Sequence, residues 1–188
     1  MFSKNTILII GDSISAGYGI DPKQGWVSLL QHRLDMDKRN YHVINASISG
    51  DTTSDGLSRI PTALNQYHPS ITIIELGGND GLRGLQISVI KSNLQRMISL
   101  TKQANSHVII LGVRIPPNYG EIYTQQFQQI YLDFAKRSDI IVIPLFLKNI
   151  DDHSQLMQAD GIHPATNAQA LLLDNIWPAL TTLLQQEK

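Results

Sequence analysis

The 188-residue chain sets 15 Lys and Arg against 16 Asp and Glu, a formal charge of −1 with no run of either sign, which argues against the basic, aromatic-interleaved groove of a nucleic-acid binder. The absence of cysteine excludes a disulfide framework, a thiolate metal site and a Cys nucleophile. The length suits one domain, residues 1–188, with a real core, and no stretch approaches the roughly 18 apolar residues of a membrane span, so no stable membrane insertion is expected.

In chain order, Met1 to Asn5 lacks an apolar h-region, because the run Ile7 to Ile10 is short and ends at Gly11-Asp12; a secretory leader is therefore either absent or already removed. Thr6 to Ile10 reads as the first strand, and Trp26 to Met36 as a helix with Trp26, Leu29, Leu30 and Leu34 on one face. Tyr41 to Asn45 is a second strand. Ser54 to Tyr67 is a helix capped by Ser54 and kinked or shortened at Pro61, since proline lacks the N–H donor. Strands at Ile71 to Leu76, His107 to Val113 and Ile140 to Ile143 alternate with helices at Gln86 to Gln103, Gln125 to Arg137 and Asn167 to Leu184, the last bent or broken at Pro178. Strands this continuously apolar are covered on both faces, which favours a parallel sheet. Right-handed crossovers then give a three-layer α/β/α sandwich.

Ligands bind beyond the carboxyl ends of such strands. Four segments fall there: Gly11-Asp12-Ser13 to Tyr18, Ala46 to Asp51, Gly77-Gly78-Asn79-Asp80 and Asp160-Gly161-Ile162-His163-Pro164. A serine hydroxyl needs a base and an oxyanion hole to act as a nucleophile. His163 can serve Ser13 as base, and Asp160, three residues earlier, can orient the far ring nitrogen. The backbone N–H groups of Ser13 and Gly50 and the Asn79 side-chain amide are the candidate oxyanion donors. Plainer roles compete. Ser13 can be a capping serine, Asn79-Asp80 a turn, and Asp12 an organiser of the Ser13 turn. Asp151-Asp152-His153 is a second acidic histidine segment, and Arg114 suits a structural ion pair better than a ligand contact. No His pair has the close spacing of a zinc motif, and no Gly-x-Ser-x-Gly elbow is present. Neither a metal nor a cofactor is implied.

These four blocks, in this order, resemble those of the SGNH (GDSL) hydrolases, from about Ile7 to the C-terminal helix. Gly11 to Tyr18, Ser49 to Thr53, Glu75 to Gly81 and Arg114 to Gly120 are similar to the bacterial multifunctional thioesterase, lysophospholipase and arylesterase subfamily. The resemblance implies a flavodoxin-like sheet of five parallel strands. It favours His163 over His153 and gives Ser13, Gly50, Asn79, Asp160 and His163 the roles above. It also implies a mobile loop, Gly81 to Leu85, over an acyl chain, and export to the periplasm or beyond, with the cytoplasm as the alternative because the chain begins without a signal.

The expected activity is hydrolysis of carboxylic esters and thioesters through an acyl-serine, on a small-molecule substrate, by a monomer. Leu82, Leu85, Ile115, Pro116, Tyr119 and Phe146 are candidates for an acyl groove or for core. A carbohydrate O-deacetylase using the same site is the enzymatic alternative. A non-catalytic nucleotide-binding module is a weaker one, because Gly11 to Gly17 fits neither dinucleotide nor P-loop glycine spacing.

Overall fold

The structure, a computed structural model, describes residues 5–186; residues 1–4, on which the leader reading largely rests, lie outside them. Five strands, β1 (Thr6–Gly11), β2 (His42–Asn45), β3 (Ile71–Glu75), β4 (His107–Leu111) and β5 (Ile141–Ile143), form one parallel sheet in the order β2-β1-β3-β4-β5. The helices are α1 (Ser13–Ala16), α2 (Trp26–Met36), α3 (Thr53–Tyr67), α4 (Gly78–Leu82), α5 (Ile87–Gln103), α6 (Glu121–Phe134) and α7 (Gln169–Gln186). Helices α2 and α7 pack together, as do α3 with α5 and α5 with α6, giving the three-layer α/β/α sandwich and flavodoxin-like strand order expected.

The three central strands explain the continuous apolar runs. In β1 and β3 every residue is buried, and Ile7, Ile9, Ile73 and Ile109 are fully inaccessible; truncating one to Ala costs about 2–5 kcal/mol. The edge strands β2 and β5 are shorter and only partly covered. The chain runs from β1 outward to β2 and then returns past β1 to β3, so the strand order reverses between β1 and β3. That crevice, beyond their carboxyl ends, is where a doubly wound sheet holds ligands.

Several boundaries differ from expectation. Helix α3 is capped by Thr52 rather than Ser54, because Thr52 and Asp55 form a reciprocal capping box. Pro61 and Pro178 lie inside α3 and α7 without ending either helix, so tertiary packing outweighs the lost donor. Helix α6 starts four residues early, just after Gly120, whose φ of 92° suits glycine. Of the segment expected as a mobile loop, Gly81 and Leu82 belong to α4 (Gly78–Leu82), with Gly81 buried so tightly that an added Cβ would come within 2.6 Å of Ile115 and 2.9 Å of Phe127, while residues 83–85 form a turn and an irregular stretch.

Candidate active site

Asp12 follows β1 and caps α1, its Oδ1 accepting the Ile14 N–H at 3.0 Å. This tight strand-to-helix turn, closed by Gly17 in the left-handed region at φ 75°, projects Ser13 above the sheet. The Ser13 hydroxyl lies 2.8 Å from His163 Nε2, and His163 Nδ1 lies 2.6 Å from Asp160 Oδ2. With Nδ1 protonated and donating to Asp160, Nε2 is left to accept the serine proton. His163 therefore pairs with Ser13, whereas His153 sits at the start of a 3-10 turn and its neighbours Asp151 and Asp152 are held by Arg114. Arg114 is thus a structural clamp on that loop, although it also lines the cavity described below.

The histidine loop is shaped by its own hydrogen bonds. Asp160 Oδ1 accepts the N–H groups of Ile162 at 2.9 Å and His163 at 3.0 Å, across Gly161 at φ 67°. Those bonds, with the His163 backbone first and its ring next, hold the Asp160 carboxyl down at about 2. Gln158 fastens the loop to the serine side. Its amide donates to the Tyr18 carbonyl at 2.7 Å and to the Pro164 carbonyl at 3.2 Å.

Asn79 stands at the start of α4, beyond β3, with Nδ2 3.2 Å from Asp12 Oδ2 and 3.0 Å from the Asp51 carbonyl. Gly50 adopts φ 87°, and its carbonyl accepts Arg83 Nη2 at 3.0 Å. It lies near this end of the sheet but outside the residues lining the cavity. Asp80 turns away from the site: its carboxylate binds the Thr53 N–H at 2.8 Å and the Thr53 hydroxyl at 2.5 Å, joining α4 to α3. Arg59 ties the strand ends together through Asp51 at 2.7 Å, the Gly11 carbonyl at 3.3 Å and the Ala46 carbonyl.

A cavity of about 740 Å³ opens beside Ser13, Asn79 and His163, a size that suits a small-molecule ligand. Leu82, Ile115 and Pro116 line it as expected, joined by Val113, Leu147 and Met157. The other groove candidates are elsewhere. Leu85 packs against the core, Tyr119 borders a separate shallow depression beside Tyr123, and Phe146 is fully buried against Trp26, ring centroids 5.4 Å apart. The chain turns through positive φ at Gly84, 65°, just before Leu85, and at Gly120, 92°, just after Tyr119. Among the described residues no cluster of three or more His, Asp or Glu could hold a metal ion.

Sequence reasoning passed over Glu75, the last residue of β3 and 1 % exposed. It accepts the Ser15 hydroxyl at 2.8 Å. Burial first, and then the charge of Asp12, pushes its carboxyl well above the usual carboxylate range. Burial likewise pushes Asp12 up to about 6. The signal was a lone acid closing an apolar strand, where a charge is costly.

A serine hydroxyl, an imidazole and a carboxylate in hydrogen-bond contact, beside an amide donor and an apolar cavity, are an arrangement able to perform acyl transfer. Residues 9–171 match the GDSL-like lipase/acylhydrolase family. The chain is 46 % identical over 179 residues to esterase TesA of Pseudomonas aeruginosa, covering 95 % of this chain and 89 % of that one. It is 39 % identical to the thioesterase 1/protease 1/lysophospholipase L1 of Escherichia coli K12, over 97 % and 86 % of the two chains. The crystal structure of the psychrotrophic esterase EstA from Pseudoalteromonas sp., inhibited by monoethylphosphonate, superposes with a TM-score of 0.90 at 38 % identity, over 96 % and 99 % of the chains.

Proposed function

The chain belongs to the GDSL-like lipase/acylhydrolase family and hydrolyses carboxylic esters and thioesters, and from this premise we propose that Ser13 is its nucleophile, His163 its base and Asp160 the group that orients the base. The observation that carries the reading is the contact of Ser13 Oγ with His163 Nε2 at 2.8 Å, backed by Asp160 at 2.6 Å.

Ser13 Oγ attacks the acyl carbonyl carbon as its proton passes to His163 Nε2. The carbonyl π electrons move to oxygen, and this oxyanion is met by the N–H groups of Ser13 and Gly50 and by the Asn79 amide. Asp160 stabilises the imidazolium without taking the proton. Collapse expels the alcohol or thiol, which takes the proton from His163, and leaves an acyl-serine. Water then attacks with His163 again as base, a second oxyanion forms, and the acid departs as Ser13 recovers its proton.

The acyl chain lies along Leu82, Ile115 and Pro116, and the apolar wall favours this over a carbohydrate acetyl group. The enzyme acts as a single-domain monomer on small-molecule acyl substrates, exported to the periplasm or beyond. Among the described residues, no helix is long and apolar enough to cross a membrane.

The test is hydrolysis of nitrophenyl esters from acetyl to palmitoyl by the wild type and by Ser13→Ala. Loss of rate in the variant, with a wild-type optimum beyond acetyl, is the expected result. A variant as active as the wild type overturns the serine assignment, and an optimum at acetyl favours a deacetylase.

A further inference from the structure

One buried acid has no part in these steps. Glu75 pairs in register with Gly11 and so lies directly beneath the nucleophile turn. Its Oε2 accepts the Ser15 hydroxyl at 2.8 Å and the Asp12 N–H at 3.4 Å, while Oε1 is enclosed without a partner. An ionised carboxylate can only accept, whereas a protonated one can donate, and Asp12, whose own N–H reaches Oε2, carries the carboxylate whose charge acts on Glu75.

Among the described residues, the surroundings offer no cation free to neutralise a second charge. Arg59, from α3, is spent on Asp51 and the carbonyls of Ala46 and Gly11. The Tyr131 phenol, from α6, donates to the Leu76 carbonyl at 3.0 Å, and Asp80, at α4, is bound to Thr53. His163 and Asp51 act on Asp12 through space with opposite signs. Two adjacent carboxyls without a cation cannot both ionise at ordinary cost.

Asp12 matters because of Asn79. The two hydrogens on Asn79 Nδ2 point to Asp12 and to the Asp51 carbonyl, at 3.2 and 3.0 Å. To meet an oxyanion the amide must give up one bond, and that to Asp12 is the longer. We propose that Glu75 is a positioning residue for the hydrolysis: a carboxylic acid kept protonated beneath the nucleophile turn, whose hydrogen bond to Asp12 keeps that carboxylate satisfied and fixed as Asn79 turns to the oxyanion. This rests on the assignment of Ser13 and Asn79 made above. An ionised Glu75 would instead repel Asp12 and add a second negative charge beside the developing oxyanion.

The sequence contains three glutamates, Glu75, Glu121 and Glu187, so carbon-13 labelling of glutamate carboxyls gives a readable spectrum. At neutral pH two ionised signals and one protonated signal are expected, the protonated one vanishing in Glu75→Gln. Three ionised signals overturn the proposal. In kinetics, Glu75→Ala is expected to lose about tenfold or more in kcat with KM changed less than about twofold, and Glu75→Gln, a neutral donor, to recover kcat to within about threefold of wild type. Equal loss in both variants, or a loss confined to KM, also overturns it. If Glu75→Ala does not fold, the carboxyl spectrum and Glu75→Gln decide. A wild-type rate that survives Ser13→Ala removes the site assignment and this proposal together, whereas loss in Ser13→Ala with three ionised glutamates removes this proposal alone.

Discussion

The ring of Tyr18 leans on the imidazole of His163, centroids 4.6 Å apart and planes tilted by 39°. Tyr18 is itself 54 % exposed, so it forms an outer wall for the base. An aromatic pair contributes about 0.5–1.5 kcal/mol beyond area burial. Tyr18→Ala is therefore expected to lower kcat by about 2- to 10-fold through a looser histidine, and Tyr18→Phe to stay close to wild type. Steady-state kinetics decide, and an unchanged kcat in Tyr18→Ala would make the ring mere cover.

Asn79→Ala removes a donor proposed to turn from Asp12 to the oxyanion. Its expected cost is about 10²-fold or more in kcat, with little change in KM and an intact fold by circular dichroism. Nearly full turnover would assign the oxyanion to the two backbone N–H groups.

Asp160→Asn keeps the shape of the loop but lets the imidazole take the wrong tautomer, and a loss of about 10²-fold or more in kcat is expected. The same variant has a signature in stability. The Asp160 carboxyl is lowered from 3.8 to about 2 in the folded protein, so its contribution is present above the unfolded value and is lost as pH falls through about 2. Melting temperatures across that acid window should drop less steeply in Asp160→Asn than in wild type.

Asp12 has the opposite sign. Its folded carboxyl is raised from 3.8 to about 6, chiefly by burial, so folding is favoured below the unfolded value and that advantage is lost as pH rises through about 6. The effect is on the order of 2–3 kcal/mol. Relative to wild type, Asp12→Asn should therefore melt at a more favourable temperature in mildly alkaline buffer than in acid. A difference independent of pH would mean that Asp12 is not strained by its charge.

The parts of this molecule legible in sequence are those governed by local pattern. Ile7 to Ile10 and Ile71 to Ile74 announce buried strands because both faces are covered, and Asp160 and His163 are neighbours in one loop. Asp12 reads as an organiser of its turn for the same reason. Long-range partners leave no such trace. Nothing in the sequence near Thr52 says that Asp80 will hold the adjacent Thr53 N–H and hydroxyl, or that packing will carry α3 through Pro61. Leu82 and Leu85 look equivalent as loop leucines, yet one lines the cavity and the other packs against the core, with a left-handed Gly84 between them. Glu75 passes unnoticed inside the apolar run Ile71 to Leu76, because its partners Ser15 and Asp12 come from another strand's end.

Ser13 and His163 are 150 residues apart along the chain, and Gln158 straps together the loops that carry them. During synthesis the nucleophile emerges from the ribosome long before its base. A nascent chain, or one broken off early, thus displays a serine that is chemically inert. On the assignment proposed above, the pair is complete only once Gln158 has strapped the histidine loop to the Tyr18 carbonyl.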